Sequence, residues 1–372
     1  MLCDQFRHAL VIGKFYPPHL GHCYLIENAG TCAHNVTVVV MASHAEHLSL
    51  DVRVAWLAEH FKTQMHIRIV GVWDDLPVDY DDEVIWQAQV VLMREGIARA
   101  QSVYGLLPPV DAVFSSESYG DRLATYFDAS SVVVNQGRDI VPISGTDVRE
   151  NLIGNWHFLP QAVQSGLCHR IVIVGGESIG KTTLAKAIAT QLNNGVMQAS
   201  YVAEYGREYN SLKLQVMRSQ ANKQKSPVPS VFDCQWQTQE FTFIAQKQIQ
   251  REQQASLMGC PYLICDTDTF ATQFWHHRYM GYNSVELDAV VAQQPKRALY
   301  ILPDINDVVF EQDGLRDGEH IRHEMHEAFR NALSQQTQTP WIEVKGSVDQ
   351  RVAQAIKAIH DIHYEFEVSR YE

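Results

Sequence analysis

Short apolar runs rich in β-branched residues recur along the chain and alternate with longer stretches in which apolar positions return every three or four residues. In the first half this pattern predicts strands near His8–Phe15, Val36–Ala42, Ile67–Trp73, Ala112–Ser116 and Ser131–Asn135. Helices are predicted near Leu20–Cys32, Val52–Lys62, Glu83–Gln101 and Gly120–Phe127. In the second half Ile171–Val174 reads as a strand, residues 197–209 as a strand ending in a polar cluster, and Phe232–Leu257 as a long polar and amphipathic helix. Further strands are expected within 262–270, 297–305 and 341–346, and a closing helix over Val348–Tyr364. Residues 211–231, polar and with two prolines, show no clear period and are expected to be a mobile connection. Strands separated by helices imply βαβ units, so the fold class is α/β, with doubly wound parallel sheets whose ligands sit at the carboxyl ends of the strands.

A chain of 372 residues suggests two domains, expected at residues 1–160 and 168–372 with a join near Pro160–Leu167. Hydrophobic content of 46% and charged content of 20% are those of an ordinary globular protein. No apolar stretch approaches the roughly 18 to 20 residues of a membrane span, and the first fifteen residues lack a signal-peptide layout. The seven cysteines, Cys3, Cys23, Cys32, Cys168, Cys234, Cys260 and Cys265, form no C-x-x-C pair and read as reduced thiols of a cytoplasmic protein. A net charge of −13 argues against nucleic-acid binding. Phosphates, if bound, must be held by local loops and helix ends.

One such loop is HRIVIVGGESIGKTTLAKAIA, residues 169–189. It matches G-x-x-x-x-G-K-[ST] from Gly175 to Thr182, with a strand before it and helix-favouring residues after it. Gly175, Gly176 and Gly180 let backbone N–H groups turn inward around a polyphosphate, with Glu177 and Ser178 in the same loop and Thr183 opening the helix. Lys181 is expected on the β- and γ-phosphates, and the Thr182 hydroxyl on Mg²⁺.

GKFYPPHLGH, residues 13–22, ends the first predicted strand. Gly13 allows close approach of backbone to a ligand, the prolines stiffen the turn, and His19 and His22 share one helix face. Two imidazoles at a helix start are expected to form a cationic cradle for phosphate oxygens. Zinc would require third and fourth ligands, and none is spaced for it nearby. The element resembles the H-x-G-H signature of the nucleotidyltransferase superfamily, which binds the ATP triphosphate and stabilises the pentacovalent transition state. ISGTDVREN, residues 143–151, is similar to that family's I-S-x-T-x-x-R. Ser144, Gly145 and Thr146 cap a helix while donating to phosphate, and Arg149 stands one turn inside it.

These two elements, FSSESYG (114–120), Trp156, Pro160 and GGESIGKTT together resemble the bifunctional NadR-type proteins. Those proteins join a nicotinamide mononucleotide adenylyltransferase to a ribosylnicotinamide kinase, and the resemblance covers nearly the whole chain. It implies a Rossmann-like nucleotidyltransferase domain followed by a P-loop kinase domain. It places Lys14, Phe15, Tyr16, Ser116 and Glu117 among nucleotide contacts, Arg53 of DVRVAWLAEHF near the ligand, and Trp86 beside the nicotinamide ring. Many members carry a helix-turn-helix repressor domain first. Here a strand begins by about His8, so none is expected. Asp79, Asp81, Asp82 and Glu83 read as a solvated helix start, and His44 and His47 as exposed.

In the second domain Glu204, Tyr205 and Arg207 are similar to the family's E-Y-G-R-[DE]-Y, with Glu204 placed to accept a substrate proton. Asp266 and Asp268 end the strand of YLICDTDTF. The first reads as the Mg²⁺ carboxylate or the general base and the second as a ribose ligand, with the two roles not separated by sequence. DGLRDG (313–318) is similar to the family's lid and makes Arg316 a phosphate ligand. Where the family runs through a Pro-Trp pair, this chain has INDVVFEQDGLR. His320, His323 and His326 fall on one face of an exposed amphipathic helix. The implied reactions convert nicotinamide riboside and ATP to nicotinamide mononucleotide, and that product and ATP to NAD and pyrophosphate. Homo-oligomers of a cytoplasmic enzyme are expected. The alternatives are a different adenylyltransferase–kinase fusion, or an NAD and ATP sensor with little turnover.

Overall fold

The computed structural model describes residues 5–362 apart from 78, 80, 196 and 307, so Cys3 and the predicted end of the last helix at Tyr364 lie outside the described residues. The chain forms two compact units that divide between Gly166 and Leu167. The first runs β1 (Ala9–Gly13), α1 (Leu20–Cys32), β2 (Val36–Ala42), α2 (Leu50–His60), β3 (Ile67–Trp73), α3 (Glu83–Tyr104), β4 (Ala112–Ser115), α4 (Tyr119–Phe127), β5 (Ser130–Val133), α5 (Gly145–Glu150) and α6 (Gln161–Leu167). Its strands form one parallel sheet in the order β3-β2-β1-β4-β5. Successive side chains of a strand point to opposite faces. Val11, Val38 and Ile69 therefore pack under α1 and α2, while Leu10, Val39 and Val70 pack under α3 and α4. With both faces covered, the strands read as unbroken apolar runs.

The second unit runs β6 (His169–Ile173), α7 (Lys181–Asn193), β7 (Ala199–Val202), α8 (Tyr205–Gln224), α9 (Thr238–Ser256), β8 (Tyr262–Asp266), α10 (Thr269–Met280), α11 (Val285–Val291), β9 (Leu299–Pro303), α12 (Arg322–Gln335), β10 (Trp341–Val344) and α13 (Val348–His360). Its parallel sheet has the order β10-β9-β6-β8-β7. The chain is thus α/β with two doubly wound parallel sheets. β1 and β6 are central strands from which the sheet grows both ways, and the loops after them open at the reversal points where such sheets bind ligands. No described helix is long and apolar enough to cross a membrane.

Two expectations need correction. Most of the connection expected at 211–231 is helix, because α8 continues to Gln224. Lys, Gln, Met, Arg and Ala are good helix formers, and burying only Leu214 and Ala221 leaves no apolar stripe to read. The long helix begins at Thr238 rather than Phe232. Residues 161–167, where the join was expected, form the short helix α6.

Candidate functional sites

In the first unit the loop after β1 brings His19 to the start of α1, where the His19 N–H donates to Nδ1 of His22 at 3.2 Å. The two rings stack with centroids 3.6 Å apart, and Phe15 meets His22 edge-on at 4.9 Å. Such close packing depends on Gly21, since a Cβ there would lie 3.0 Å from the His19 ring. Buried His19 keeps its Nδ1 without a hydrogen-bond partner among the described residues. Burial, then the nearby Arg138 guanidinium, lowers the His19 pKa to about 3. Burial, His19 and Arg138 likewise hold His22 well below its ordinary value. Burial thus disfavours the charged form of the cationic cradle expected from sequence, and an incoming polyanion would offset that cost.

The start of α5 closes on the same loop. Ser144 and Asp147 cap the helix reciprocally, and Arg149 donates to the Tyr16 carbonyl at 2.7 Å and to the Thr146 hydroxyl at 3.1 Å. A Cβ on Gly145 would sit 3.1 Å from the Arg149 guanidinium and 3.2 Å from the Tyr16 oxygen. His19, Tyr16, Gly145, Thr146 and Arg149, more than 120 residues apart in sequence, are thus brought together. Arg138, which sequence reading missed, faces His19 and pairs with Glu117 at 3.6 Å. Nothing in its local sequence marks it, because the loop is irregular and the contact is long-range.

In the second unit Gly175 (φ +133°), Ser178 (φ +55°) and Gly180 (φ +86°) turn the loop after β6 around, and a Cβ on Gly175 would meet Ile179 at 2.3 Å. Lys181 donates to the Gly176 carbonyl at 2.6 Å. The Thr182 hydroxyl donates to Asp266 Oδ2 at 2.5 Å, and Tyr201 reaches the same oxygen at 3.3 Å. Asp266 Oδ1 is buried with no partner among the described residues. Glu204, at the start of α8, has its pKa raised by burial and by Asp266, with Lys181 opposing. A cavity of about 490 Å³ is lined by Glu177–Thr183, Glu204, Arg207 and Arg316 and by the aromatic side chains of Trp236, Trp275 and Tyr279. Arg316 donates to the Ser178 hydroxyl at 3.1 Å and pairs with Asp313 at 3.5 Å.

Comparison with known proteins adds a lineage to this geometry. Residues 170–351 match the family model for the AAA domain. The trifunctional NAD biosynthesis/regulator protein NadR of Escherichia coli (strain K12) is 28% identical over 217 residues, which is 54% of this chain and 49% of that protein. The chain is homologous to NadR. Its counterpart in Salmonella typhimurium LT2 is 27% identical over 221 residues, 55% of this chain and 50% of that NadR. The chain therefore spans about half the length of the curated relatives it matches. A crystal structure of NadR protein in complex with NR has a TM-score of 0.69 at 17% identity over 100% of both chains. Another, in complex with NAD and AMP-PNP, has a TM-score of 0.69 at 16% identity over 99% of both chains. These two NadR structures share the fold.

Other expected site residues fall elsewhere. Arg53 is fully buried and donates to the Lys14 and Leu48 carbonyls, at 2.9 and 2.5 Å, and pairs with Glu46 at 2.6 Å. It braces the loop that carries Lys14, which itself pairs with Glu46 at 3.2 Å. Trp86 is 3% exposed within the core under α3, with Arg122 over its ring. Tyr205 turns away from the cavity to stack under Arg251. Asp268 does not line the cavity either. It caps α10 and is engaged by Arg297 at 3.1 Å and Tyr300 at 2.9 Å, so the expectation of a ribose ligand is corrected to that of a buried ion-pair member.

His326 is not on an exposed face. It is 1% exposed and reaches Glu343 at 3.1 Å, close to Asp304. Arg330 and Lys345 already neutralise Glu343, and Asn306 donates to Asp304. The cluster is therefore charge-compensated by protein. His44 is exposed as expected, stacked on Trp73, and Asp82 caps α3. Trp275 and Tyr279 escaped the sequence reading because α10 spreads apolar and polar residues around its whole circumference.

Proposed function

We propose that this chain carries two ATP-dependent activities of NAD biosynthesis. The second unit would phosphorylate nicotinamide riboside to nicotinamide mononucleotide. The first would join that product to the adenylyl group of ATP, giving NAD and pyrophosphate. The observation that carries the reading is one cavity lined both by the phosphate loop, whose Thr182 hydroxyl reaches Asp266, and by a cluster of aromatic rings suited to a flat heteroaromatic base. The homology to NadR supports it, as do the ligands named in the related structures.

The donor set fits Mg²⁺, since hard cations take oxygen ligands and a second Asp266 oxygen lacks a partner among the described residues. Thr182 and Asp266 would hold the ion, which would neutralise phosphate charge during transfer. Lys181 would meet the β- and γ-phosphates once ligand displaces its bond to Gly176. Arg316 and Arg207 would balance charge from the lid side. Glu204, lifted above the ordinary carboxylate range, is suited to accept the proton of a ribose hydroxyl.

Adenylyl transfer needs no base, because the attacking nucleophile is already a phosphate anion. His19, His22, Thr146 and Arg149 would position and neutralise the triphosphate, with the Ser144 cap presenting the α5 N-terminus. Incubating the chain with nicotinamide riboside, ATP and Mg²⁺ and following products by chromatography tests the whole proposal. Nicotinamide mononucleotide should appear first and NAD after it. Absence of both products in folded protein would reject it.

A further inference from the structure

In the phosphate loop Glu177 makes a contact that nucleotide binding alone does not explain. Its Oε2 accepts the Gly318 N–H at 2.8 Å, across 141 residues of sequence. The neighbouring Asp317 pairs with Arg278 at 2.8 Å and accepts the Tyr279 hydroxyl at 2.9 Å. Arg278 in turn lies over the rings of Tyr279 and Trp275, at 4.7 and 5.5 Å. Asp317 and Arg278 are 13% and 12% exposed, so this pair is screened little by water. Glu177, Trp275 and Tyr279 all line the cavity. There is no slack at the joint, because a Cβ on Gly318 would lie 2.9 Å from Glu177 Oε2 and 3.2 Å from Arg278.

We infer that Glu177 is a positioning residue that couples the phosphate loop to the aromatic wall of the cavity through Gly318, Asp317, Arg278 and Tyr279. The inference rests on the kinase reading above, in which nucleotide binds at the loop and the riboside at the wall. Whichever ligand arrives first favours the latched arrangement, and the second then binds a site already set. Coupling of this kind is reciprocal, so each ligand must tighten the other by the same factor, typically about 5- to 150-fold.

The test is calorimetric binding of nicotinamide riboside to the full chain with and without a saturating non-hydrolysable ATP analogue. Parent protein should bind the riboside at least about fivefold more tightly with the analogue present. Glu177→Ala should bring that ratio to within about twofold of unity. Glu177→Gln, whose carboxamide oxygen can still accept the Gly318 N–H, should restore most of it. Gly318→Ala should behave like Glu177→Ala. If the parent binds both ligands without coupling, or Glu177→Ala keeps the parent's ratio, the inference is overturned while the kinase reading stands. If the parent binds no riboside under either condition, both fall together.

Discussion

Thr182 and Asp266 stand 84 residues apart in sequence, yet the hydroxyl of one donates to the carboxylate of the other across adjacent parallel strands. Register explains the meeting: Ile173, the last residue of β6, pairs with Asp266, the last residue of β8, so the loop and the carboxylate leave the sheet side by side. Asp266→Asn should therefore remove most Mg²⁺-dependent riboside phosphorylation, by roughly a hundredfold or more in kcat, the scale of a lost electrostatic contact in the transition state. Steady-state kinetics at several Mg²⁺ concentrations check it. Parent-like kcat would show that the metal is held elsewhere.

The two sites belong to separate sheets, so they should fail separately. His22→Ala should lower adenylyl transfer by about 10²–10³ and leave riboside phosphorylation intact. Lys181→Ala should do the reverse, with supplied nicotinamide mononucleotide still converted to NAD. Product analysis of both variants decides the matter, and a shared loss in folded protein would count against independence.

Acid should weaken the first unit through its histidines. His19 is neutral down to about pH 3 in the folded chain, whereas an unfolded histidine protonates near 6.5. Between these values the unfolded state binds more protons, so stability falls as pH drops from about 6.5 toward 3. The slope for one such group is at most about 1.4 kcal/mol per pH unit. His19→Gln should flatten the dependence of denaturant midpoint on pH between about 6 and 4. An unchanged slope would remove His19 from the account.

Arg53 offers a stability prediction. Replacing it with Met leaves Glu46, itself 8% exposed, with only the half-exposed Lys14 as a charged partner and frees the Lys14 and Leu48 carbonyls. Breaking a buried pair by removing one member costs about 3–5 kcal/mol. Denaturant unfolding should show that loss, and a change below about 1 kcal/mol would mean water has replaced the missing contacts.

Arg316→Ala bears on the lid. Its bond to Ser178 puts the guanidinium against the phosphate loop. Loss of a contact that strengthens in the transition state should lower kcat for riboside phosphorylation by roughly a hundredfold while adenylyl transfer is untouched. A kcat within twofold of the parent would shift attention to Arg322, which donates to the Ser178 carbonyl at 3.1 Å.

What the sequence determined by itself was everything governed by local spacing. Period-two and helical patterns define the alternating elements, and the glycines of 175–182 and the histidines of 19–22 lie on single strand-loop-helix units whose geometry is set within about ten residues. The fate of Asp268 was decided only in three dimensions. On a continuing strand it would share a face with Asp266. Thr267, with φ +78°, ends that regularity, and Asp268 turns to cap α10 beside Arg297 instead. Arg138, Trp275 and Tyr279 likewise owe their place at the sites to contacts between distant segments, which no local pattern encodes. His326 shows the same limit from the other side. Its spacing matches that of an exposed helix face, but β10 packs alongside and supplies Glu343, turning a surface position into a buried one.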